Sequence, residues 1–126
     1  MGAGIALVVR QNWPQAYERY MGMPSGNGML GLIDPVQIRE DFYIINAYTQ
    51  VEYGSGGPHA KLGAIQACLL AVGEFNKEHN FPAFFPRIGC GLGGLTWEEV
   101  GPIFDAVASR FPTQNWWICT PPTVTA

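Results

Sequence analysis

A chain of 126 residues is one domain's worth, and 48% hydrophobic residues supply enough apolar surface for a core, which excludes a disordered chain. A formal charge of −3 lacks the basic excess of a protein that lives on nucleic-acid phosphates, so no nucleic-acid partner is expected. The apolar runs fall far short of a bilayer span, so no membrane partner is expected either. Cys68, Cys90 and Cys119 are odd in number and share no CxxC or Cys/His spacing, so neither a metal site nor a disulfide framework is expected. With no positively charged leader before Ile5-Ala6-Leu7, a signal peptide is rejected and a cytoplasmic location is expected.

In chain order, Ile5 to Tyr20 has helical periodicity with a break at Pro14, which suits the first position of a second helix. Met21 to Gly31 is rich in Gly, Pro, Ser and Asn and reads as a loop. Leu32 to Ile38 reads as a strand with Pro35 inside it, which suggests an edge or a bulge. Asp41 to Ala47 contains the continuous apolar run Phe42-Tyr43-Ile44-Ile45, expected of a strand buried on both faces. Tyr48 to Pro58 reads as a loop. His59 to Lys77 is the strongest helix, with Leu62, Ile65, Leu69, Val72 and Phe75 at spacings of three and four. A short strand is expected within Phe81 to Ile88, a helix over Thr96 to Arg110, and a buried closing strand over Trp116 to Thr120. Strands alternating with helices, and no internal boundary, give one α/β domain over residues 1–126 with a sheet covered on both faces.

The chemistry concentrates in two glycine-rich turns. In Gly89-Cys90-Gly91-Leu92-Gly93-Gly94, four glycines within six residues lie between a strand and a helix. Glycine reaches positive φ and lets amides approach a ligand with no Cβ in the way. Successive amides in such a turn form a concave nest for oxyanions. No Gly-Lys-Ser/Thr follows, so this is not a P-loop, and no suitably placed acid makes it a dinucleotide fingerprint. Thr96 and Glu99 have capping-box spacing, and Glu98 adds a second acid in the first turn, while Pro102 predicts a kink or restart in the helix. Those carboxylates occupy the positive end of the helix dipole, so an anion belongs on the loop amides before Thr96. Gly2-Ala3-Gly4 is a second glycine turn opening a helix. A tight turn that binds nothing has the same glycine pattern, so the count alone leaves both readings open.

Together these segments resemble macro domains. Met1-Gly2-Ala3-Gly4-Ile5-Ala6-Leu7 resembles their first ligand loop, Ile44-Ile45-Asn46-Ala47-Tyr48-Thr49-Gln50 with Tyr53-Gly54 the middle segment, and Pro86 to Leu95 followed by Trp97 and Val100 the second loop. The branch with terminal ADP-ribose protein glycohydrolase, DarG-type antitoxins and ADP-ribose-1''-phosphate phosphatases, many of them phage or bacterial, is the most similar. The resemblance implies a three-layer α/β/α sandwich with a mixed central sheet, without the leading strand or strands usual in the family, as in a minimal or shortened member. It implies ADP-ribose or an ADP-ribosylated substrate as partner and no cofactor. The diphosphate would lie on Gly89, Cys90, Gly91, Leu92 and Gly93, the distal ribose at Gly2, Ala3, Gly4, Ile5 and Ala6, and the middle segment would bring Tyr48, Gln50 and Tyr53 to the site. Two positions depart from the glycohydrolase pattern. Arg10 stands where the catalytic lysine is expected, and Gly93 where an aspartate is expected. Arginine does not deprotonate to act as an amine nucleophile, so lysine-type covalent catalysis is disfavoured.

The implied activities are hydrolysis of ADP-ribose-1''-phosphate or of an ADP-ribosyl ester, with non-catalytic reading or scavenging of ADP-ribose as the alternative. His59, after Gly-Gly-Pro at a helix start, is the candidate general acid/base, its other reading being a solvated first-turn histidine. Cys90 reads as loop filler before it reads as a nucleophile. Tyr48 and Tyr53 are candidates for stacking on adenine or ribose, and equally for capping the core. Asn46 on a covered face needs partners, which backbone groups would supply. Asp34 could act with bound water, although its spacing does not argue for it. His79 is expected at the surface and Trp116 and Trp117 in packing. A sheet without its leading strand has a raw edge, which a homodimer would cover.

Overall fold

The structure, a computed structural model, describes residues 4–24, 27–50, 60–90 and 94–120. In order come α1 (Gly4–Asn12), α2 (Pro14–Gly22), β1 (Ile33–Arg39), β2 (Phe42–Ala47), α3 (Leu62–His79), β3 (Ala83–Phe85), α4 (Trp97–Ala108) and β4 (Trp116–Ile118). The break at Pro14 separates α1 from α2, with Pro14 in the first turn of α2, where its missing N–H costs nothing. At the elbow, Trp13 packs edge-on against Phe42, with ring centroids 5.3 Å apart.

β1 and β2 pair antiparallel from Ile33 opposite Ala47 to Arg39 opposite Phe42, with the register shifting between Gln37 and Arg39. Pro35 lies opposite Ile45, on a strand that is the edge of this pair, where a missing ladder donor is tolerated. The two faces of the hairpin divide between helices. Asp34 and Asn46, opposite each other in the ladder, turn towards α2, while Ile33 and Ile45 pack against the core that α3 helps form. The α2, hairpin and α3 layers make the α/β/α arrangement. β2 is half-buried along most of its length rather than buried on both faces. β3 and β4 pair parallel, Ala83 to Trp116, Phe84 to Trp117 and Phe85 to Ile118. Among the described residues the strands thus form two small sheets, one an antiparallel pair and one a parallel pair.

The core forms where α3 and α4 cover these strands: Ile65, Leu69 and Val72 meet Val100, Phe104 and Val107, with Phe85, Leu95, Phe111 and Ala60 closing the cluster. Each such side chain contributes about 1.5–3 kcal/mol on leaving water. The leucine, isoleucine and valine spacing in α3 is what aims them inward, and Asn80 in the left-handed region (φ 53°) ends the helix.

Four expectations need correction. α3 begins at Leu62 with Lys61 as its cap, not at His59. α4 runs unbroken through Pro102, because one lost hydrogen bond is offset by the buried face of Val100, Phe104 and Val107. β4 stops at Ile118 and is exposed on one side: Trp116 packs against Phe85, whereas Trp117 is 57% exposed and Phe84 beside it 67%. With period-two alternation one tryptophan faces the core and its neighbour does not. Finally, His79 is half-buried among Tyr43, Phe75 and Phe81, with ring centroids 4.9–5.1 Å away, and is not a solvated surface residue.

Candidate functional site

β2 and β3 both deliver their carboxyl ends to the candidate loops, the geometry from which ligand crevices arise in α/β sheets. After β2, Tyr48 exchanges hydrogen bonds with the turn before β1. Its N–H donates to Leu32 O (3.0 Å) and its O accepts from Gly31 N–H (2.9 Å). Lys61 N–H then donates to Thr49 O (2.9 Å), and Gln50 bridges Ala60 in antiparallel fashion. These links close the base of the middle loop. His59 and Tyr53, within that loop, lie outside the described residues, as do Gly2 and Ala3.

After β3, Cys90 N–H donates to Arg87 O (3.2 Å) and Leu95 N–H to Gly89 O (2.9 Å), while Cys90 and Leu95 form a parallel bridge. The second glycine loop is therefore drawn in at its base, with Gly91, Leu92 and Gly93 beyond it and outside the described residues. Gly89 and Gly94 both adopt positive φ, 81° and 84°. At Gly89 a side chain is doubly disfavoured: a Cβ would come 2.7 Å from Ile65 Cδ1 and 3.3 Å from Ala60 Cβ. The two loop bases thus approach each other closely at Gly89 and Ala60.

The helix after the loop is held by its own residues. Thr96 N–H donates to Glu99 Oε1 (3.0 Å), and the Arg87 guanidinium lies 5.2 Å from the Trp97 ring centroid. Burial pushes the Cys90 thiol up; Arg87 pulls it down, and Glu98 and Glu99 push it up again. The net upward shift disfavours thiolate and agrees with a packing role for Cys90. Among the described residues, no cluster of three His, Cys, Asp or Glu side chains could hold a metal ion. No described helix is long and apolar enough to cross a membrane.

Of the remaining candidates, Gly4 opens α1, Ile5 is 57% exposed and Ala6 is half-buried. Tyr48 is half-buried, with its ring stacked on Tyr20 at 6.0 Å. Arg10 lies with its guanidinium 4.3 Å from the Tyr17 ring centroid. Asn46 Nδ2 donates to Ala16 O (3.2 Å), the backbone partner its burial required. Ala60 and Leu95 were not legible as loop-base residues, because the contacts that define them cross between segments. The pairing of Asp34 with Arg19 (3.0 Å) was equally hidden, since the two residues lie on different elements.

Comparison with known proteins places this geometry. A 17.5 kDa protein of Enterobacteria phage T4 is 27% identical over 117 residues, covering 87% of this chain and 74% of its own length. The DNA ADP-ribosyl glycohydrolase of Mycobacterium tuberculosis is 30% identical over 105 residues. The macrodomain of Mycobacterium tuberculosis DarG superposes with a TM-score of 0.77 at 27% identity, over 97% of this chain and 82% of that one. The chain belongs to the macro domain family, in its DarG-like branch. The Thermus aquaticus DarG macrodomain, 22% identical over 96% of this chain and 82% of that one, shares the macro-domain fold with a TM-score of 0.75. No family model matches the chain. The alignment spans 79% of this macro domain but only 29% of the mycobacterial glycohydrolase.

Proposed function

We propose that this macro domain binds ADP-ribose. The diphosphate lies on the backbone amides of the loop from Gly89 to Gly94, and the distal ribose at Gly2-Ala3-Gly4 with Ile5 and Ala6. Tyr48, Gln50 and Tyr53 line the middle segment. The observation that carries the reading is the backbone at Gly89, held at φ 81° against Ala60, which draws the second glycine loop to the base of the middle one. The likeness to DarG macrodomains and to a DNA ADP-ribosyl glycohydrolase supports ADP-ribose as the ligand class. Calorimetry with ADP-ribose tests it: saturable binding is expected, and no binding heat at millimolar ligand overturns it.

Hydrolysis of ADP-ribose-1''-phosphate or of an ADP-ribosyl ester, with His59 as general acid/base, is the catalytic form of this reading. The other form is a non-catalytic reader; Arg10 bears only on the lysine-type route, which it disfavours. Arginine stays charged, and this one is engaged with Tyr17 instead of standing as a free amine nucleophile. Phosphate release from ADP-ribose-1''-phosphate and ADP-ribose release from a modified protein decide between the two. Turnover abolished by His59→Ala supports the hydrolase, and an absence of turnover alongside binding supports the reader.

A further inference from the structure

α2 is fastened to the β-hairpin at one spot by two polar links. Ala16 O accepts from Asn46 Nδ2 (3.2 Å), and one turn later Arg19 Nη2 pairs with Asp34 Oδ1 (3.0 Å). Ala16 and Arg19 are neighbours on one helix face, and Asp34 and Asn46 are opposite each other in the ladder, so the four groups form a single joint. Asp34 is unusual within it. Its side chain is only 7% exposed, and its second oxygen, Oδ2, is buried with no hydrogen-bond partner among the described residues. Arg19 thus pairs with a carboxylate sunk between helix and sheet, and a buried carboxylate that loses its partner is strongly disfavoured as a charge unless it regains water or another donor.

The joint has a consequence for the first glycine turn. α1 opens at Gly4 and packs chiefly on α2, while Ile5 and Val8 on its outer side remain exposed. Its position relative to the sheet is therefore inherited from α2. The base of the second glycine loop is packed independently, with Ile65, Ala60 and Leu95 around Gly89.

We propose that Asp34 and Arg19 are positioning residues which, through α2, set the start of α1, at Gly4, Ile5 and Ala6, for the distal ribose of the ligand. This rests on the ADP-ribose reading above. It makes a separable demand: disturbing the joint should weaken recognition of the distal ribose and leave the diphosphate and adenosine portion alone. ADP contains the latter and lacks the former, so the pair ADP-ribose and ADP reads the two parts separately.

The experiment measures both affinities calorimetrically for the native chain, Arg19→Met, Arg19→Lys and Asp34→Asn. Arg19 is half-exposed, so its replacement spares the core, and Asp34→Asn keeps the shape while removing the charge. ADP-ribose binding weakened on the order of tenfold in Arg19→Met and Asp34→Asn is expected, since small misplacements of a positioning group have effects of that size. ADP binding should be unchanged, and Arg19→Lys, which keeps a cation, should restore ADP-ribose binding. Equal loss for both ligands, or no loss for either, overturns the positioning role while the ADP-ribose reading stands. A native chain that binds neither ligand overturns that reading, and the inference with it.

Discussion

Gly73, midway along α3, lies directly against the ring of Phe111 beyond the end of α4, and a Cβ on Gly73 would overlap that ring. Gln114 Nε2 donates to Gly73 O (2.8 Å) beside it, so the helix and the segment after α4 meet with no space to spare. An alanine here would gain up to about 1 kcal/mol in helix propensity. It would also force Phe111, a buried core residue, out of place, and overpacking of this kind costs about 1–3 kcal/mol. Gly73→Ala should therefore be net destabilising, seen as a lower denaturation midpoint in urea. A midpoint at or above that of the native chain would contradict the close approach.

Gly89→Ala combines two penalties at the loop base. A left-handed backbone costs a non-glycine residue about 1–2 kcal/mol, and the new methyl would press on Ile65 Cδ1 at 2.7 Å. The expected outcome is moderate destabilisation with loss of ADP-ribose binding measurable by calorimetry. The temperature should be low enough to keep the variant folded, as judged by circular dichroism.

Asn76 joins the end of α3 to the segments around it. Its Nδ2 donates to Phe81 O (2.8 Å) and to Gln114 Oε1 (3.3 Å), and its Oδ1 accepts from Phe81 N–H (2.9 Å). Trp116 Nε1 donates to the same Gln114 oxygen (3.0 Å). Asn76→Ala strands the part-buried N–H and O of Phe81, while Gln114 Oε1 keeps Trp116, at about 1–3 kcal/mol for each group left unpaired. Chemical denaturation should register a loss of at least that size, well above that of an exposed polar residue such as Gln66.

Trp116 and Trp117 should respond in opposite ways. Trp116 packs against Phe85 and Phe111, at 4.9 and 6.1 Å between ring centroids, so Trp116→Ala should cost about 2–3 kcal/mol, below the range for a wholly buried ring. Trp117→Thr, on the exposed side, should shift stability by about 0.5 kcal/mol or less. Thermal melts of the two variants side by side check the contrast.

The cysteines make a pH prediction. Burial pushes the Cys68 thiol up to about 11 from 9.0, outweighing the backbone hydrogen bonds that pull it down. The folded state holds this proton more tightly than the unfolded state. Its contribution to stability is therefore complete below pH 9.0 and is lost as pH rises towards about 11. Denaturation midpoints should fall across that window, and Cys68→Ser should flatten the fall. At neutral pH a maleimide should label exposed Cys119 and reach Cys68 only on unfolding.

What the residues disclosed on their own follows a physical line. Periodicity placed α3, the apolar run Phe42 to Ile45 marked β2, and Pro14 marked the α1–α2 junction, because each signal is local. The glycine loop between β3 and α4 was legible because glycine and capping residues act over a few positions. Legibility ended where partners lie far apart in sequence. Nothing local shows that Asp34 meets Arg19, that Ala60 touches Gly89, or that Trp117 is left bare while Trp116 is packed. His79 carries the same lesson: its helix end suggested a surface position, and rings from its own helix and two other segments half-bury it instead.

α3 touches both strand pairs, α4 and the base of the second glycine loop. Cys68 Sγ–H reaches Leu32 O, Ile65 backs Gly89, Phe75 meets Tyr43 across the hairpin, and Gly73 seats Phe111. Among the described residues, the two strand pairs share no ladder, so an opening of one reaches the other through this helix. The amides near Ile65 to Val72 should then exchange with deuterium only in the global unfolding event, whereas those of α1, which packs chiefly on α2, should exchange through local openings.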